Sequence, residues 1–168
     1  MRIAGIDPGT IRSGIGIIES GSGGTTLLFS NTIHAGAHRP LSERLRILFD
    51  GFQNAFEKWK PDVVVLENVF YRKDFKAAIK VGEARAAAMI AAEISGSEVV
   101  EYAPARIKQS VCGNGRAAKD QVQYMIRHLL KLRETLPPDS SDAVACALCH
   151  LNTVKNPLLA AKRVAHAL

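Results

Sequence analysis

The sequence lacks long hydrophobic runs, and it contains little cysteine. No apolar stretch among its 168 residues approaches the roughly 20 residues that a membrane-spanning helix needs. The N-terminus lacks the charged segment and apolar stretch that are typical of a secretion signal. The three cysteines, Cys112, Cys146 and Cys149, are too few for a disulfide framework and fit a reducing compartment. We therefore expect one cytoplasmic domain that does not enter a membrane.

Acidic residues are almost absent from residues 103–133. This stretch carries seven basic residues and one acid, Asp120, so the formal net charge of +6 is concentrated here. A basic segment suits a nucleic acid, because cations neutralise the phosphate backbone. A solvated basic helix face explains the same composition. The seven basic residues are Arg106, Lys108, Arg116, Lys119, Arg127, Lys131 and Arg133.

Two apolar runs each end in a carboxylate. Residues 2–7 end in Asp7 just before a Pro-Gly turn, and the β-branched run at 62–67 ends in Glu67. Such runs predict buried strands. Because a helix connects the two strands, we expect them to be parallel, with the two acids side by side. A divalent cation between the two carboxylates would relieve their repulsion. The alternatives are that Asp7 only caps its turn and that Glu67 is an exposed strand end.

The hydrophobic patterns predict an α/β fold. Residues 2–7, 13–19 and 25–33 are expected to form three antiparallel strands, and apolar spacing over Ser42 to Trp59 predicts a helix that Ser42 caps. The strand at 62–67 and a fifth strand at Glu98 to Tyr102 are expected to be parallel. The predicted architecture is thus a five-stranded mixed sheet flanked by helices. Further helices are predicted over residues 75–95, 119–132 and 142–152 and from Pro104.

A second pair of acids follows a Pro-Pro sequence near the end of the chain. Asp139 or Ser140 is expected to cap the next helix, and residues three apart at a helix start face the same way, so Asp139 and Asp142 would lie together. The helix dipole favours acids at this position without any metal. Together with Asp7 and Glu67, however, the pair predicts a metal site made of four carboxylates.

The segment after the strand-terminal acid mixes aromatic rings with cations. Aromatic faces stack on bases and cations hold phosphates, so Phe70 and Lys73 predict contact with an unpaired or distorted nucleotide. Phe70 as a hydrophobic anchor is the alternative. Lys76 and Lys80 recur at the start of the next helix and are further candidates for DNA contact. The alanines at residues 84–92 give this helix a smooth side suited to close approach by another element, and the helix from Phe75 to Ser95 is the candidate homodimer interface.

Two short motifs are rejected as cofactor sites. Residues 113–118 match a dinucleotide fingerprint, but no strand precedes them and no strand-helix-strand unit follows. Residues 146–150 match a haem-attachment motif, but such attachment implies export. Small apolar residues three positions apart are also expected on the core face of a helix. A zinc site would need a second pair of ligands.

Four motifs together resemble the RuvC-type Holliday junction resolvases. The likeness covers about residues 1–155, in the family's order, as a nuclease domain, and it leaves residues 156–168 as a C-terminal tail. The motifs are Asp7-Pro8-Gly9 with Gly14 and Gly16, Glu67-Asn68-Val69-Phe70, the stretch from Ala105 through Lys119 to Val122, and Asp139-Ser140-Ser141-Asp142-Ala143.

The resemblance implies a ribonuclease H-like fold and a homodimer that cuts two opposed strands of a four-way DNA junction in recombination and repair. It implies that four acids bind Mg²⁺ or Mn²⁺, and hydrolysis of a phosphodiester is best served by two ions per subunit. Some relatives carry His at the position of Asp139. The implied ligands are Asp7, Glu67, Asp139 and Asp142.

The resemblance also identifies contacts with DNA and with other proteins. Phe70, Lys108 and Lys119 match residues that meet DNA at the junction, and Arg116 is a further candidate from the basic stretch. The RuvA-RuvB branch-migration complex is the expected partner.

Two other classes of function remain open on the sequence. An actin-like or sugar-kinase-type ATPase also begins with Asp-x-Gly and a glycine-rich hairpin, although 168 residues leave little room for its second domain and no Walker-type loop is present. A junction-binding module without catalysis is the other class. ATP hydrolysis without DNA cleavage would favour the first, and metal-dependent nicking would exclude the second.

Overall fold

We describe a computed structural model of the chain that covers residues 1–68 and 75–156, with backbone only at 75–77. Phe70, Lys73 and most of the predicted tail lie outside the described residues, as does the side chain of Lys76. None of the described helices is both long enough and apolar enough to cross a membrane.

One five-stranded mixed sheet forms the centre of the molecule. The strand order is β3-β2-β1-β4-β5. β1, β2 and β3 pair antiparallel, and β4 pairs parallel with both β1 and β5. The predicted sheet is therefore confirmed. The strands are β1 (Arg2–Asp7), β2 (Arg12–Gly21), β3 (Gly24–His34), β4 (Val63–Glu67) and β5 (Glu98–Tyr102).

Five helices of the described residues cover the two faces of the sheet. Successive strand residues point to opposite faces, so Ile3 lies in a core with α3, α4 and α5, whereas Ala4 lies in a core with α1 and α2. The result is a three-layer arrangement. The helices are α1 (Leu41–Trp59), α2 (Phe75–Ile94), α3 (Pro104–Cys112), α4 (Lys119–Leu129) and α5 (Pro138–Lys155).

Two predicted helix caps are wrong. Pro40 occupies the N-cap of α1, and Ser42 lies inside its first turn. Pro137 occupies the N-cap of α5, so Asp139 and Ser140 lie within the first turn rather than at the cap. A proline early in a helix sacrifices no hydrogen bond, since the first amides have no partner inside the helix. Both helices therefore start earlier than predicted.

The alanine-rich side of α2 is buried inside the chain. Ala84, Ala88, Ala91 and Ala92 are fully buried in the core shared with α1. The small side chains allow close approach by another element, as predicted, and in the described residues that element is α1. A dimer interface on α2 stays a prediction, which now concerns the exposed side of this helix.

Candidate active site

Three glycines let the start of α5 lie directly on the sheet. A Cβ atom at Gly14 would lie 1.9 Å from the carbonyl oxygen of Asp139, and one at Gly5 would lie 1.9 Å from that of Ala143. At Gly16 it would meet a methyl group of Val144 at 2.3 Å. Only hydrogen fits at such distances. The absent side chains thus bring the backbone of α5 against β1 and β2, next to the end of β1.

The four acids lie at this contact. Asp7 ends β1 and Glu67 ends β4, and the parallel register pairs Ile6 with Leu66, the residues just before them. Asp139 and Asp142 lie in the first turns of α5. All four side chains are only partly exposed. Residues that are far apart in the sequence therefore form one acidic site at the carboxyl ends of two neighbouring strands.

The pKa of Asp7 shows how strongly the acids interact. Burial of the carboxyl group, followed by the negative charges of Asp142, Glu67 and Asp139, raises the pKa of Asp7 to about 7. Desolvation and like charges both disfavour the ionised form. Asp7 is therefore the centre of a strong negative potential, which the nearby ammonium group of Lys119 offsets only in part.

Two cations pair with the acids of α5. The Nε atom of Arg12 lies 2.9 Å from Asp139 Oδ2, and the Nζ atom of Lys119 lies 3.0 Å from Asp142 Oδ2. The hydrogen bond to Asp142 and its negative charge raise the pKa of Lys119. Both cationic side chains are mostly exposed, at 63% and 71%. Each pair therefore fixes a carboxylate while leaving its cation accessible to an anion from solvent.

A closed turn places Arg12 beside the site. The Gly9 amide donates to Ser13 Oγ over 3.0 Å, and the Ser13 hydroxyl donates to the Gly9 carbonyl over 2.9 Å. Ser13 is completely buried. These bonds hold the loop between β1 and β2 in one conformation. The sequence reasoning missed Arg12, although its place five residues after Asp7, at the start of the adjacent strand, was a usable signal.

Cys146 forms part of the apolar floor under the acids. Its thiol lies 3.8 Å from the Ile6 carbonyl oxygen. Burial raises the pKa of this thiol well above its usual value, and the charges of Glu67 and Asp7 act in the same direction. Cys149 is also buried. The interpretation of the cysteine motif as a helix core face is therefore confirmed.

The described DNA-contact candidates lie at different places. Of these described candidates, only Lys119 pairs with one of the four acids. Lys108 lies on α3, close enough to Cys112 to affect its pKa, and within the described ranges it forms no ion pair with the four acids. Arg116 is exposed in the loop before α4, and Lys80 is exposed on α2.

The donor set of the acidic site fits a hard divalent cation, which prefers carboxylate oxygens. Among the described residues, no three Asp, Glu, His or Cys side chains are arranged to hold one ion directly. Asp139 and Asp142 are instead turned to their cationic partners. Burial and the charges of the three other acids raise the pKa of Asp7, and both effects disfavour its ionised form unless a cation is added. An ion would therefore displace Arg12 and Lys119 from the carboxylates of α5.

Comparison with known proteins assigns the chain to a family. The family model described as crossover junction endodeoxyribonuclease RuvC matches residues 3–150. The chain is 45% identical over 160 residues to the protein of that name from Halorhodospira halophila, covering 95% of each chain. It is 42% identical over 153 residues to the one from Bordetella avium, covering 91% of this chain and 84% of the other.

Solved structures agree with the sequence comparison. The Thermus thermophilus RuvC structure matches with a TM-score of 0.84 at 32% identity, covering 92% of this chain and 96% of the other. T. thermophilus RuvC in complex with Holliday junction substrate matches with a TM-score of 0.86, also at 32% identity, over 92% of this chain and 95% of the other. These matches confirm the predicted ribonuclease H-like fold. The chain belongs to the RuvC family of crossover junction endodeoxyribonucleases.

Proposed function

We propose that this protein is a metal-dependent endodeoxyribonuclease that resolves four-way DNA junctions by paired, symmetric nicks in the cytoplasm. The observation that carries the proposal is the convergence of Asp7, Glu67, Asp139 and Asp142 in one site, where burial and the charges of the other three acids raise the pKa of Asp7. Membership of the RuvC family supports the substrate, since a solved relative binds Holliday junction substrate.

The four acids would hold Mg²⁺ or Mn²⁺, and we propose two ions per subunit. When bound, such ions make water nucleophilic near neutral pH and stabilise the leaving oxygen of a phosphodiester. Asp7 interacts electrostatically with Glu67 and with both acids of α5, so the four carboxylates together would hold the ions.

The protein's own cations would act on the substrate. Lys119 and Arg12 are exposed beside the acids, where each is within reach of an anion that approaches from solvent. A cation released from Asp142 or Asp139 would neutralise a DNA phosphate and hold the strand at the site. Ile6 and Cys146 are buried and form an apolar layer on the core side of the site.

Cleavage of a synthetic four-way junction tests the function. We expect nicks at symmetric positions in two opposed strands when Mg²⁺ is present, no nicks in EDTA, and no cutting of a linear duplex of the same sequence. Mapping both strands on denaturing gels checks this. Equal cutting of the linear duplex, junction binding without nicking, or ATP hydrolysis without cleavage would contradict the proposal.

The outer face of α2 is our candidate for the homodimer interface. Four large apolar side chains on this helix are exposed, on the side opposite the alanines that are buried in the core. A junction cut twice in a symmetric way suits a two-fold dimer. The exposed side chains are Ile79 at 46%, Met89 at 37%, Ile90 at 55% and Ile94 at 61%. The RuvA-RuvB complex is a further proposed partner, on family resemblance alone.

Ile90→Glu is expected to convert the dimer to a monomer. A charge at the centre of an apolar interface loses its hydration without gaining a partner, which weakens association by roughly 100-fold or more. Light scattering should report the mass of two chains for the wild type and of one chain for the variant. The control is Val154→Glu, which changes an exposed apolar residue on α5. A monomeric wild type would contradict the proposed interface.

A further inference from the structure

The exposed side of α4 combines aromatic and basic residues. Tyr124, Arg127 and His128 are exposed on one face of the helix, and Lys131 is exposed just after the helix end at Leu129. On the opposite face, Val122 and Ile126 are buried. The four exposed residues therefore lie away from this buried face, and we call them the α4 outer face.

Within residues 1–68 and 75–156, neither cation of this face, Arg127 or Lys131, forms an ion pair with an acid. The nearest acid on the helix, Asp120, accepts a hydrogen bond from the Gln121 amide at the helix start. Unpaired guanidinium and ammonium groups are available to phosphates.

The two rings on this face are ordered against each other. Tyr124 and His128 stack with centroids 6.3 Å apart and ring planes within 6°, although Tyr124 is 64% exposed. Tyrosine hydroxyl groups bind phosphate oxygens in protein–DNA interfaces. A stacked pair has already lost side-chain freedom, so a contact made through it costs less entropy.

Lys131 has an unfavourable backbone conformation. Its φ angle is +52°, in the left-handed region, and its amide donates to the His128 carbonyl over 3.2 Å at the end of α4. Glycine is the residue that best fits such a helix end. A lysine there imposes a conformational cost, and its side chain is exposed. Lys60 has the same conformation, at φ 47°, after α1.

Position links this face to the active site. α4 begins at Lys119, which pairs with Asp142. At about 1.5 Å per helical residue, Arg127 lies about 12 Å from Lys119 along the helix axis, and the helix end at Leu129, which Lys131 follows, lies about 15 Å from it. At about 3.4 Å per base pair, these axial distances correspond to about four to five base pairs. A DNA arm leaving the acids along α4 would pass over both cations.

We propose that the α4 outer face binds the phosphate backbone of a DNA arm about four to five base pairs from the cleaved bond. The proposal rests on the proposed junction nuclease activity and extends it to a surface outside the active site. Charge complementarity and continuity with Lys119 favour DNA over a protein partner.

Junction affinity in EDTA, measured at several salt concentrations, tests the proposal. We expect Arg127→Gln and Lys131→Gly each to weaken binding by about 3- to 10-fold and to reduce the slope of log affinity against log salt by about 1. Lys60→Gly is the matched control, because it makes the same change in the same conformation outside α4. Both glycine variants should melt about 2 to 4 °C higher than the wild type. Lys131→Gly would thus lose affinity while gaining stability.

Neutral phosphates locate the contact. Methylphosphonate linkages about four to five base pairs from the cut should weaken binding by the wild type. They should not further weaken binding by a double variant that carries both Arg127→Gln and Lys131→Gly. In one outcome, the wild type binds and cuts junctions, and Arg127→Gln and Lys131→Gly both keep its affinity and salt slope. The α4 proposal alone then fails, and a protein partner becomes the better assignment for this face. If the wild type neither binds nor cuts junctions, the proposed function fails as well.

Discussion

Asp7→Asn is expected to abolish junction cleavage while making the folded protein more stable at pH 8. The amide keeps the shape of the side chain but removes the charge at the centre of the four acids, and we expect the cleavage rate to fall by roughly 1,000-fold or more. Junction binding should persist, because the substitution removes a negative charge that repels DNA.

The gain in stability follows from the raised pKa. The Asp7 carboxyl has a pKa of about 7 in the folded protein and a usual value of 3.8. The folded state therefore holds its proton more tightly, so its stability falls as the pH rises from about 4 to 7 and the full cost is present above 7. A difference of this size corresponds to about 4 kcal/mol. Asp7→Asn removes that cost at pH 8 and changes little at pH 4.

Urea unfolding at pH 4 and pH 8, together with junction cleavage, would check both parts. Added Mg²⁺ should raise the melting temperature of the wild type more than that of Asp7→Asn. The control is Asp50→Asn, which breaks an exposed pair with Arg46 and should change stability by less than about 0.5 kcal/mol at either pH. Cleavage by Asp7→Asn near the wild-type rate would remove Asp7 from the catalytic assignment.

Gly14→Ala is expected to cause the second large effect, through packing rather than charge. The added Cβ would lie 1.9 Å from the carbonyl oxygen of Asp139 and 2.4 Å from its carbonyl carbon. Backbone at both sides leaves no flexible group to yield, so α5 must move away from β2. We expect a loss of about 3 kcal/mol of unfolding free energy. Because Asp139 moves with the helix, folded protein should also cleave poorly.

Gly21→Ala is the matched control on the same strand. No atom lies within 4 Å of a Cβ at Gly21, so the variant should unfold at the wild-type urea concentration. Urea midpoints would measure the difference, and circular dichroism would establish whether Gly14→Ala is folded under the assay conditions. Wild-type stability and activity in Gly14→Ala would show that α5 does not require the glycine contact.

The sheet was predictable because its signals are local. The β-branched run before Glu67 and the helical spacing after Ser42 each identify their element without knowledge of the rest. The caps were not predictable, since Pro40 and Pro137 compete with nearby polar residues for the same position. The composition of α2 suggested that its alanines allow close approach by another element. It did not show that this element is α1 of the same chain.

The site was partly predictable for the same reason. Asp7 and Glu67 are placed by their strands, and the parallel pairing brings them together. The pairing of Arg12 with Asp139 joins residues at opposite ends of the chain, and no local pattern predicts it. The motif containing Gly14 was recognised, but the need for glycine there is visible only once the backbone of Asp139 lies against it.

The seating of α5 on Gly5, Gly14 and Gly16 has a consequence during synthesis. The ribosome synthesises the N-terminal strands first, and a domain folds as a unit. A nascent chain that stops before α5 carries Asp7 and Glu67 but neither Asp139 nor Asp142. A prematurely terminated product would therefore lack two of the four acids that we propose hold the metal ions, and it should not cleave junctions.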